Sequence, residues 1–163
     1  MILDLIALDG TSRVWLYQAH RELTYDELDE IREDIFNFLS SWTAHSAELH
    51  TYGNVFHRRF LGLFVDQSLA ASASGCSIDA SVRFIQELGK KYDIDFFDRM
   101  TYCYMDAEEI IHSISHTELP AAYATGLVTD NTLFFDHLVK DKASFLSSWL
   151  VPLRDSWHYR FAK

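Results

Sequence analysis

The chain has 163 residues, 48% hydrophobic and 23% charged, a balance that fits one folded domain with one core and lies far from the low-hydrophobicity range of disordered chains. A formal net charge of −10 argues against a nucleic-acid partner, because affinity for phosphate backbones comes from clustered Lys and Arg, and the basic clusters here are only His57-Arg58-Arg59 and Lys90-Lys91. Cys76 and Cys103 lack the paired spacing of a disulfide framework or zinc site, Met1 to Ile6 carries no basic stretch of a signal peptide, and no apolar run approaches the ~20 residues of a membrane span, so a cytoplasmic protein without a membrane partner is expected.

Arg13 to Ala19, with Val14, Trp15 and Tyr17, reads as a first strand. A helix comes next: Thr24 and Glu27 make a capping-box pattern, Leu23 and Leu28 stand at staple positions, and Leu28, Ile31, Ile35, Phe38, Leu39 and Trp42 repeat at helical spacing. Leu49 to Phe56 and Phe60 to Asp66 then read as a hairpin turning at His57-Arg58-Arg59, its second strand apolar enough to be central. Small residues from Gln67 to Ser77 make a loop, and a second helix is expected to bury Ile78, Val82, Ile85 and Leu88 and to end at Gly89.

Thr101 to Met105 and Ile110 to Ile114 read as a second hairpin, turning at Asp106-Ala107-Glu108-Glu109. Thr117 caps a short helix with Pro120 in its first turn and Gly126 at its end; Thr132 to Asp136 is a last strand and Ala143 to Trp149 a short helix. Pro152 breaks the regular structure beyond it, and the aromatic tail Trp157-His158-Tyr159-Arg160-Phe161 is expected to dock. The fold expected is a single α+β domain, residues 1–163: an antiparallel sheet with two main helices on one face, opening as a ferredoxin-like split βαβ unit, with a C-terminal β/α extension continuing that sheet.

The stretch Asp66 to Asp79 holds the candidate site. A helix start offers unpaired N–H groups and about half a positive charge, which favour an anion or a thiolate. Gly75 leaves room for close approach, Ser72, Ser74 and Ser77 add hydroxyls, and Cys76 stands where a thiol is activated as a catalytic nucleophile. Asp66 and Asp79 compete for the same donors. The plain alternative makes Ser77 an ordinary N-cap and Cys76 a small buried filler.

Other patterns fail. Gly75-Cys76-Ser77-Ile78-Asp79 departs from a nucleophile elbow at its last position. His112 and His116 lie on a strand without the Glu of a zinc-protease helix, so no metal and no cofactor is expected. Phe84 and Lys91 stand where a phosphate loop needs Gly and Ser or Thr, which excludes a P-loop ATPase.

The segments Val14 to Gln18, Ser74 to Asp79, Ser81 to Ile85 and Val151 to His158 resemble an uncharacterised bacterial family often labelled "ABC transporter ATPase", in matching order from about Arg13 to Phe161. The resemblance implies a cytoplasmic bacterial protein and assigns no residue a catalytic role. Three functional expectations stand side by side: a small binding or regulatory protein with an anionic ligand at residues 72–79, a thiol-dependent enzyme using Cys76 with His57 or His158 as base, and an interaction protein whose surplus aromatics form a homo-oligomer surface.

Overall fold

Helix α1, Tyr25–Ser41, begins at the capping box read from the sequence: the Glu27 amide donates to Thr24 Oγ1 at 3.1 Å and the Thr24 amide to Glu27 Oε1 at 2.9 Å. Arg21 adds a bidentate pair to Glu27, at 2.8 and 2.7 Å, which with the Thr24 amide pulls that carboxyl down to about 2. The face buried is Leu28, Ile31, Ile35 and Leu39, each worth about 1.5–3 kcal/mol of burial.

The computed structural model describes residues 1–67 and 73–163. The chain is an α+β protein with antiparallel sheets. It gathers into two compact units, Met1–Asp98 with Lys140–Ala143, and Arg99–Val139 with Ser144–Lys163. Each has its own cluster of buried apolar side chains, where the composition led to an expectation of one core.

In the first unit, β1 (Arg13–Gln18), β4 (Thr51–Phe56) and β5 (Phe60–Val65) form a sheet in the order β1-β5-β4, every neighbour antiparallel. β1 and β4 are therefore parallel to each other with β5 between them, the split βαβ arrangement expected. Leu61, Leu63 and Val65 of β5 pack with α1 and with Ile85 and Leu88 of helix α2, Gly75–Tyr92, so both helices cover one face. A short hairpin, β2 (Thr43–Ala44) with β3 (Ala47–Glu48), stands between α1 and β4, where the sequence shows no strand pattern. Its two-residue strands are too brief to show a period.

The β4–β5 turn puts His57 and Arg58 at φ 53° and 52°, a left-handed pair that matches strand twist but strains residues with a Cβ. Contacts with the β1–α1 connection hold it. The Leu23 amide donates to Arg58 O at 2.7 Å, Ala19 to Arg59 O at 2.8 Å, and the Arg58 guanidinium pairs with Glu22 and lies 4.1 Å from the Tyr25 ring centroid. The basic cluster is thus occupied in holding the fold.

The outer edge of β1 receives fragments instead of a fourth strand. Phe97 bridges Gln18, Asp141 bridges Arg13, and the Val14 amide donates to Lys140 O at 2.9 Å. Lys142, 8% exposed, donates its ammonium to Leu8 O at 2.6 Å and Ile6 O at 3.3 Å, so a buried charge is satisfied by carbonyls. The second hairpin does not extend the first sheet, contrary to the expectation from the sequence. β6 (Thr101–Met105) and β7 (Ile111–Ser115) instead join β8 (Leu133–Phe135) and β9 (Leu150–Pro152) in a separate sheet ordered β7-β6-β8-β9. Helix α3 spans Leu119–Ala124 with Glu118, not Thr117, at its N-cap, and α4 spans Lys142–Ser148.

Helix α2 departs from the sequence reading at both ends. Its N-cap is Ser74, not Ser77, and its buried row is Ser77, Ser81, Ile85 and Leu88, with Ile78 and Val82 only partly covered. It also runs three residues past Gly89 to Tyr92 and is closed by Asp93 at φ 54°. Gly89 has a different purpose: a Cβ there would lie 2.6 Å from the Ile94 carbonyl oxygen. Gly89→Ala is accordingly expected to lower stability by about 1–3 kcal/mol in a denaturant titration, although helix propensity alone favours Ala by about 1 kcal/mol; an equal or higher midpoint would refute the contact.

Candidate site at the start of helix α2

The geometry of this helix start results from the burial of Ser77 and Ser81. Small side chains allow close approach to Trp42, whose Nε1 donates to Ser77 O at 2.8 Å, and Ser81 Oγ closes back on Ile78 O at 2.6 Å. With that face turned inward, Gly75 and Cys76 face outward. A Cβ added at Gly75 would meet nothing within 4 Å among the described residues.

The two serines serve one another. The Ser77 amide donates to Ser74 Oγ at 3.3 Å, the Ser74 amide to Ser77 Oγ at 2.6 Å, and Ser77 Oγ to Ser74 O at 2.9 Å. Ser77, 2% exposed, is therefore engaged in the cap, a correction to its reading as a ligand hydroxyl. Ile78 donates its amide to Ser74 O at 2.9 Å. The pair of amides on Gly75 and Cys76 is left over, and the described residues provide no acceptor for it.

Neither of the two carboxylates considered as competitors lies in the first turn of α2. Asp79 is exposed a turn further along, and the first turn of α2 holds no acidic residue, whereas that of α1 holds Asp26 and Glu27. Asp66, 7% exposed at the end of β5, donates its amide to His50 O at 2.9 Å and is already engaged. Ser72 lies outside the described residues.

Cys76 is exposed, which sets aside the buried-filler reading, and among the described residues it has no hydrogen-bond partner. Of the bases considered for it, His158 is bonded to Ser156 Oγ at 3.1 Å and is 2% exposed, and burial lowers His57 below its ordinary value. Among the described residues no group of three or more His, Cys, Asp or Glu could hold a metal ion, and no helix is long and apolar enough to cross a membrane. Cys103 is buried, so a thiol reagent should titrate one cysteine in the native protein and two after unfolding. Two native thiols, or none, would contradict the placement of one of them.

The tail docks, as its aromatic content led one to expect. Leu153, Ser156, His158 and Ala162 are buried, and Trp157 and Phe161 pack on the cluster around Tyr102 and Phe134. The His158 ring lies 4.5 Å from Tyr102 and 5.3 Å from Phe134, while Tyr102 Oη bonds His116 Nδ1 at 2.7 Å. Burial, with the His137 imidazole adding to it, pushes His158 down to about 3. The unfolded chain takes the proton first as pH falls below 6.5, so stability is whole above that value and is lost toward pH 3. Urea denaturation should lose about 1.4 kcal/mol per pH unit through the middle of that window from this group, and His158→Gln should flatten the slope; an unchanged slope in the variant would place the titration elsewhere.

Compared with protein families, curated proteins and solved structures, the chain shows no match.

Proposed function

We propose that the protein is a small binding or regulatory module that takes a small anion, a phosphate or carboxylate group, on the Gly75 and Cys76 amides at the start of α2. The observation that carries this reading is the pair of outward amides left over after Ser74 and Ser77 have satisfied one another, at a helix start with no carboxylate of its own in the first turn. An anion there completes two hydrogen bonds and meets the positive end of an 18-residue helix.

Binding fits better than thiol catalysis because the Cys76 thiol has no hydrogen-bonded base among the described residues. It fits better than an aromatic oligomer surface because the tail rings pack within their own unit. Two adjacent amides span the oxygens of one phosphate or carboxylate group, which sets the class of ligand at small and anionic.

Inorganic phosphate at ten times its dissociation constant should stabilise the protein by about 1.4 kcal/mol, seen as a rise of a few degrees in melting temperature. Cys76→Asp, which brings a carboxylate to the same donors, should raise the melting temperature without phosphate and remove the further rise with it. No response in the natural protein, or the same response in the variant, would overturn the reading, the latter because general salting acts on both alike.

A further inference from the structure

Strand β7, Ile111–Ser115, is the outermost strand of the second sheet. The Asp106 amide donates to Ile110 O at 2.9 Å and the His116 amide to Met100 O at 2.7 Å. With β6–β7 in register Tyr104↔His112 and Tyr102↔Ile114, this alternation turns the backbone groups of His112 and Ile114 toward β6 and those of Ile111, Ser113 and Ser115 away from it. Ser115 is closed off locally, its amide donating to Glu118 Oε2 at 3.0 Å and its carbonyl accepting from the Glu118 amide at 3.1 Å. Nothing among the described residues pairs with the outward N–H and C=O of Ile111 and Ser113.

An open strand edge recruits another strand unless something blunts it, and the usual devices are Lys, Pro, a bulge or a covering element. β9, at the opposite edge, ends in Pro152. β7 has neither Pro nor Lys, pairs with β6 without a bulge, and exposes His112 and Ser113. The turns that flank β7 are acidic, and the cation that packs toward its Ser115 end is Arg160, 4.7 Å from the Phe161 ring that meets His116. No Lys or Arg occurs between Thr101 and Val139, while Asp106, Glu108 and Glu109 lie at the Ile111 end and Glu118 beyond Ser115. Glu108, Glu109 and Glu118 are exposed.

We propose that the β7 edge is a docking site for an extended basic peptide segment of another protein, which adds as a fifth strand to this sheet. The peptide backbone meets the N–H and C=O of Ile111 and Ser113, and Lys or Arg on either flank meets Glu108 and Glu109 at one end and Glu118 at the other. A second copy of this chain is the weaker occupant. Antiparallel pairing about His112 would set Glu109 of one copy opposite Ser115 of the other, bringing the acidic Glu108–Glu109 end of one copy to the Glu118 end of the other, where like charges gather.

The test uses two labelled heptapeptides, each with a Val-Thr-Val centre, one flanked by Lys-Arg pairs and one by Glu-Glu pairs, in fluorescence anisotropy with the full chain. The basic peptide should bind, more weakly as NaCl rises toward ~0.5 M, and the acidic one should not. Ser113→Pro removes an outward N–H that the β6–β7 ladder does not use, so it should weaken binding tenfold or more with the far-ultraviolet circular dichroism unchanged. Glu109→Lys provides a second variant that leaves the backbone intact, and it too should weaken binding. No binding of the basic peptide, equal binding of both peptides, no loss in either variant, or a dimer in light scattering that Ser113→Pro dissolves would overturn the proposal.

Discussion

The burial of β5 against two helices constrains nearly everything else in the first unit. Leu61, Leu63 and Val65, each 0% exposed, meet Ile31, Ile35 and Leu39 of α1 and Ile85 and Leu88 of α2. Close-packed interiors tolerate little change in volume, so the rotation of α2 about its own axis is not free. Once Ile85 and Leu88 face the sheet, helical spacing carries Ser81 and Ser77 to the same side and into contact with the Trp42 neighbourhood. Gly75 and Cys76 are then outward by necessity, and the donor pair at the helix start is a consequence of core packing several turns away.

Charge in the first unit is largely paired internally. The positive end of α1 is filled by its own Asp26 and Glu27, and Arg21 holds the latter. Lys91 pairs with Asp34 of α1 at 2.9 Å, and Tyr92 donates to the same carboxylate at 2.6 Å, which staples the two helices at the far end of α2. Several cations of this unit thus meet its own carboxylates and carbonyls, while the stretch from Thr101 to Val139 has carboxylates and no Lys or Arg. The excess of −10 is therefore local in its effects, because beyond about a Debye length of 8 Å exposed charges are screened.

The second unit is held by rings. Tyr102 is edge-on to His116, Trp157 and His158, and Phe161 is edge-on to His116 and Trp157. Such contacts add about 0.5–1.5 kcal/mol each beyond area. They explain why so aromatic a tail is no loose end and why His158 stays neutral. The buried Trp157 Nε1 has no partner among the described residues, a cost the surrounding ring contacts offset.

Much of the fold was legible in the residues because its signals are local. The Thr24–Glu27 capping box, the apolar face of α1, the two hairpins and the split βαβ order each need only a short run of neighbouring positions to declare themselves. The start of α2 was legible as a helix start but not in its details. Ser74 and Ser77 both read as caps, and which one closes the turn depends on the buried row that Trp42 and β5 select. The separate second sheet was out of reach for the same reason: the edge of β1 is taken by Phe97, Lys140 and Asp141, contacts between residues far apart along the chain. By itself the sequence determined the main helices and strands and the absence of a phosphate loop, since propensity, capping and periodicity act within a few residues. Only the tertiary structure decided which amides face outward, which cysteine is exposed and which strand is left at an edge, because those depend on long-range packing that no local pattern encodes.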